Sequence, residues 1–147
     1  MRRPLYVRTL PIIAAAAIVV ACSTSNSTAP KLTLTPQQLV GTYALDTLAT
    51  ANTVTTPPQV MGTLVLTDST YHEHVVIETG PTVTDTTQLS ADSGTYSVSG
   101  STFTQTSETG LPSVVATASL RGNGDTLDVK VTSPAEAAGT YVWVKTD

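Results

Sequence analysis

The segment "ATASLRGNGDTLDVKV", Ala116 to Val131, limits what this chain can fold into more than any other. Asn123-Gly124 at its centre suits a type I′ turn, which needs positive φ at both middle positions. Folding the segment there sets Leu120 against Leu127, Ala118 against Val129 and Ala116 against Val131. These apolar residues share one face, and Ser119, Arg121, Thr126, Asp128 and Lys130 share the other. A slip of one residue would send every apolar side chain to water. The segment is therefore a hairpin with one oily face.

The same alternation recurs along the chain. "GTYSVSGSTFTQ" breaks at Ser99-Gly100, which predicts Tyr96 opposite Phe103 with Val98 on the same face. "GTLVLTDSTYHEHVVIE" breaks at Asp68-Ser69, which predicts Leu66 opposite Tyr71 and Leu64 opposite Glu73. Three hairpins give six strands, and "GTYALDTLA" and "GTYVWVK" add one at each end. "TPQQLV", with Thr35 before Pro36, reads as one short helical turn. A bulge is expected near Ser93-Gly94, after an extension around Gly80-Pro81. Threonine and serine fill the polar positions, and charged residues make up only 12%, a balance that favours strands over helices. A meander of about eight antiparallel strands has to hide its edges, and closure does this most simply. The expected fold is all-β, a small up-and-down barrel, with a two-sheet β-sandwich as the alternative.

The start of the chain reads as a targeting segment. "MRRPLYVR" is basic, and Leu10 to Ala21 is apolar but shorter than the roughly 20 residues of a spanning helix. Cys22, the only cysteine, follows Ala21. Val19-Val20-Ala21-Cys22 resembles the lipobox of bacterial lipoprotein signal peptides. That resemblance implies cleavage before Cys22, lipid on its sulfur and anchorage in a membrane. An ordinary signal peptide with an incidental cysteine is the alternative. Ser23 after the cysteine, rather than aspartate, suggests the outer membrane by analogy with sorting rules. "STSNSTAPK" then reads as a flexible tether with a reach of roughly 15–18 Å. The expected organisation is a signal peptide over 1–21, a lipidated tether over 22–34 and a barrel over 35–147.

From residue 22 onward, four basic residues face eleven acidic ones, a net of −7. Nucleic acid is excluded as a partner on that balance, because its affinity depends on Lys and Arg against phosphates.

"LVGTYAL", "GTYSVSGSTFT" and "GTYVWVK" give residues 39–145 a resemblance to the lipocalin-like domains of secreted bacterial lipoproteins, within the calycin group. Gly41-Thr42-Tyr43 is similar to the Gly-x-Trp start of lipocalins, with tyrosine for tryptophan. The family usually sets an arginine from the last strand against that tryptophan, and Lys145 is a weak stand-in. The chain is also short for the family. Both departures speak against a large cavity.

Candidate sites follow from parity. Glu73 falls on the core face, where a carboxylate is costly unless paired or wet, so it is a candidate for holding a ligand's polar head. Tyr43, Leu64, Leu66, Tyr71, Tyr96 and Phe103 are candidate lumen residues around it. Tyr141 and Trp143 join them as aromatic fillers able to line a small pocket. His72 and His74 lie two apart on one strand face, a weak metal-site pattern; their parity points them to solvent. No cofactor is implied. The chain carries no Gly-x-Ser-x-Gly elbow and no phosphate-binding Gly-Lys loop, and with one lipidated cysteine it offers no thiol chemistry. The expectation is a non-enzyme. It either binds a small apolar or amphipathic ligand or serves as a structural, protein-contacting module with partners unspecified.

Overall fold

The structure is a computed structural model that describes residues 33–78 and 86–147. The expected signal peptide, Cys22 and most of the expected tether lie outside the described residues, as does the expected extension around Gly80-Pro81.

Among the described residues, nine strands follow one short helix. The helix α1 spans Pro36–Leu39. The strands are β1 (Gly41–Ala49), β2 (Val54–Thr55), β3 (Val60–Leu66), β4 (Thr70–Glu78), β5 (Thr86–Ser99), β6 (Thr102–Ser107), β7 (Val114–Arg121), β8 (Thr126–Ser133) and β9 (Gly139–Lys145). All pairings are antiparallel, and β9 returns to pair with β1. Eight strands therefore close into a barrel. The short β2 is extra and attaches to the end of β1 through Leu48 and Ala49. The architecture is compatible with a lipocalin-like fold.

Register follows hydrophobic alternation. In the β7–β8 hairpin Leu120 faces Leu127, Ala118 faces Val129 and Ala116 faces Val131. The reversal uses left-handed backbone at Asn123 (φ 62°) and Gly124 (φ 100°), and the Asp125 N–H donates to the Gly122 carbonyl. Leu66 faces Tyr71 and Leu64 faces Glu73 across β3 and β4.

The β5–β6 turn departs from expectation. Val98, not Tyr96, faces Phe103, and Tyr96 faces Gln105. The reversal is at Gly100-Ser101, because Gly100 is the residue with positive φ (65°). The change is two residues in register, so every side chain keeps its face. Tyr96 and Phe103 still meet diagonally, with ring centres 5.3 Å apart.

The expected bulge is also elsewhere. The β4–β5 register shifts between Val75 and Val76, opposite residues 88–90, and pairing is regular at Ser93 and Gly94. Gly94 has a different reason to be glycine: a Cβ there would lie 2.0 Å from the Thr106 carbonyl oxygen on β6. A further bulge on β1 between Leu45 and Thr47 lets Leu48 point inward after Leu45.

The two ends of the barrel differ. At one end α1 forms a floor. Leu34 and Leu39 are buried, the Leu34 N–H donates to the Gly100 carbonyl, and the Tyr43 hydroxyl donates to the Leu39 carbonyl at 2.9 Å. The Tyr96 hydroxyl donates to the Thr67 carbonyl at 2.6 Å. Leu34, at the edge of the expected tether, is thus docked beneath the barrel. Trp143, Tyr43 and Phe103 are the largest fully buried side chains, and burying such a ring stabilises by about 1.5–3 kcal/mol. The other end is ringed by the β6–β7 and β8–β9 connections and stays open.

Candidate functional site

The open end leads to a cavity of about 350 Å³ inside the barrel. It lies above the floor, where α1 and the Tyr43–Tyr96 layer fill the lower interior. Leu64, Phe103, Val129, Val131, Tyr141 and Trp143 form the apolar wall. Tyr141 and Trp143, two apart on β9, lie nearly parallel (8°) with ring centres 6.5 Å apart. Leu111 and Pro112 from the β6–β7 connection, with Pro134 and Glu136 from the β8–β9 connection, make the rim.

The polar wall comes from β4, β5 and β6. Glu73, Ser90, Asp92, Tyr71 and Gln105 all line the cavity. Glu73 and Asp92 are direct cross-strand partners. Gln105 is only 7% exposed, the one polar residue among the described buried set.

The two carboxylates have different surroundings. Asp92 accepts a hydrogen bond from the Tyr71 hydroxyl, and at its other oxygen from Ser107 (2.7 Å) and Thr109 (2.8 Å). Burial pushes the Asp92 carboxyl up, but these donors and the Ser93 backbone outweigh it, and its pKa falls below the usual carboxylate value. Burial, then the bond to Asp92, raises the Tyr71 phenol well above its ordinary value. Ser107 Oγ also accepts from the backbone N–H of Thr109 and Leu111, so Asp92 ties down the rim loop that carries Leu111.

Glu73 has fewer donors: the side chains of Ser90 and Gln105 hydrogen-bond to it. Its residue surface is partly covered, because the carboxylate faces the cavity. Burial raises its pKa, Ser90 and Gln105 beside it partly offset that, and the Asp92 charge adds to the rise. Glu73 in turn raises the pKa of Tyr141 on the opposite wall, after burial itself. The site is an apolar pocket with one acidic, hydrogen-bonding side.

Of the lumen candidates, Glu73, Leu64, Tyr71 and Phe103 line the cavity. Tyr43, Leu66 and Tyr96 lie outside it, packed into the filled part of the core. Gln105, Asp92 and Ser90 line the cavity as well, beyond the residues expected from the sequence. Gln105 shares parity with Phe103, which was a usable signal. Asp92 faces Glu73 in the regular stretch of the β4–β5 ladder, ahead of the bulge opposite Val75 and Val76. His72 and His74 are exposed on the outer face of β4. Among the described residues, no group of three or more His, Cys, Asp or Glu side chains could hold a metal ion.

Comparison with protein-family models, with curated proteins and with solved structures finds no match to this chain. On its geometry the protein is a closed eight-stranded antiparallel barrel with an internal pocket.

Proposed function

We propose that this protein is an envelope lipoprotein, anchored at the outer membrane through Cys22, whose lipocalin-like barrel binds a small apolar or amphipathic molecule without catalysing a reaction. The observation that carries the binding role is the cavity. At about 350 Å³ it falls at the small end of the range for ligand pockets, and it pairs mostly apolar walls with a few convergent polar groups, as such pockets do. The location rests on the basic leader, the short apolar run and the lipobox ending at Cys22. A structural, protein-contacting module would be served by a filled interior, so the cavity favours the binding role.

Native mass spectrometry after gentle extraction tests this reading, together with titration of N-phenyl-1-naphthylamine, an apolar fluorophore. The expected result is saturable brightening at one site per chain, reversed by a bound or added small apolar molecule. A chain that carries nothing and leaves the fluorophore dark would contradict it.

A further inference from the structure

The charges around the cavity are one-sided. Glu73, Asp92 and Glu136 line it, and no Lys, Arg or His is among its lining residues. The described cations are all elsewhere. Arg121 pairs with Asp128 at 2.6 Å on the exposed face of the β7–β8 hairpin. Lys130 is exposed on the outside of β8, and His72 and His74 on the outside of β4. Lys145 donates to the Val40 carbonyl at the floor end. The segment between β4 and β5, residues 79–85, holds no basic residue either.

Inside, Glu73 and Asp92 face each other across β4 and β5. Like charges directly opposite on one sheet face are destabilising. Asp92 has three side-chain donors to offset its own burial. Glu73 accepts hydrogen bonds from the neutral side chains of Ser90 and Gln105, and no positive charge lines the cavity beside it. A carboxylate under apolar cover without a counter-charge is costly even when neutral donors reach it. The second, independent feature is the space itself: an open pocket lined by this carboxylate, with buried Gln105 and the rings of Tyr141 and Trp143 also in its wall.

We propose that the cavity takes an organic cation, a protonated amine on a compact apolar body, with the ammonium against Glu73 and the body against Phe103, Val129 and Trp143. This rests on the reading of the cavity as a ligand site. The ammonium supplies the missing counter-charge through N–H bonds to the Glu73 carboxylate, and such charge-assisted bonds are the stronger kind. The aromatic pair adds attraction for a positive charge. An anionic head, as on a fatty acid, would meet two carboxylates and no cation. A neutral alcohol would gain the apolar contact alone.

The test uses the purified full chain and three probes of one body: octylamine, octanoate and octanol. The readout is emission from Trp143, the only tryptophan in the chain and part of the cavity wall. At neutral pH octylamine is expected to bind about tenfold or more tighter than either of the others, the scale of one charge-assisted bond. In E73Q that preference is expected to fall to within about threefold, with octanol binding unchanged. Circular dichroism checks that E73Q keeps its sheet, and the ranking in the unmodified protein stands as a test without the variant. Octanoate or octanol binding as tightly as octylamine overturns the inference and leaves the cavity reading intact. An octylamine preference that survives in folded E73Q also overturns it. Binding of none of the three overturns both.

Discussion

Lys145, near the end of the last strand, places its Nζ 6.0 Å from the centre of the Tyr43 ring on the first strand, while donating to the Val40 carbonyl at 2.8 Å. Tyr43 and Lys145 are also register partners across the seam that closes the barrel. Gly41 makes room for this crossing, since a Cβ there would lie 2.4 Å from Lys145 Cε. The weak stand-in suggested by the sequence is in fact a latch over the floor.

K145M keeps the aliphatic stem and removes the charge and the donor. The expected loss is about 0.5–1 kcal/mol, as for a partly exposed cation against an aromatic ring. Urea unfolding read by circular dichroism checks it, with a shifted midpoint and an unchanged slope. No shift in midpoint would remove the latch role.

G94A should be far more costly. The new methyl would collide with the Thr106 carbonyl in the neighbouring strand, and backbone cannot step aside without parting β5 from β6. A loss of about 3 kcal/mol is expected, measured by the same unfolding curve. A neutral result would mean that the strands sit farther apart than described.

Y71F removes the donor to Asp92 and should cost about 1–2 kcal/mol. It also changes the response to acid. The Asp92 carboxyl is held below its ordinary value, so its contribution is present above the ordinary aspartate range and is lost as pH falls through the lowered folded value. The melting temperature of Y71F should therefore fall less steeply between neutral and acid pH than that of the unmodified protein. Parallel pH profiles would contradict this.

Glu73 has the opposite sign. Its folded pKa is raised, so the folded chain holds the proton more tightly than the unfolded one. The cost of ionising it is absent below the ordinary glutamate range and is fully present above the raised value. Asp92, Tyr71, Tyr141 and Glu136 are the other titratable groups lining its cavity, and none of them carries positive charge. E73Q should melt higher than the unmodified protein at neutral pH. That gain should vanish as pH falls into the ordinary glutamate range. A gain that persists in acid would point to packing instead of charge.

Much of this barrel is legible in the residues. The Leu120–Leu127 and Leu66–Tyr71 registers follow from alternation and turn chemistry, because only one register keeps the oily face intact. Glu73 stands out for the same reason, as a carboxylate on the wrong parity. What alternation cannot supply is anything that keeps parity while changing the partner. The β5–β6 turn moves by two residues without disturbing a face, so Val98 and Phe103 could not be told from Tyr96 and Phe103. The facing of Asp92 and Glu73 depends on the register of β4 against β5, which shifts by one residue at 88–90 with no turn residue to mark it. The cavity itself depends on how far α1 fills the floor, which is set by packing across strands distant in sequence.

The pocket exists only if the sheet closes, because an open sheet would have no interior to hold a ligand. Solution NMR of the seam tests this most directly. Cross-strand contacts between β1 and β9 at the pairs Tyr43–Lys145, Leu45–Trp143 and Leu48–Tyr141 are predicted, with their amides slow to exchange. Rapid amide exchange along both strands, with no contacts between them, would contradict closure and the pocket with it.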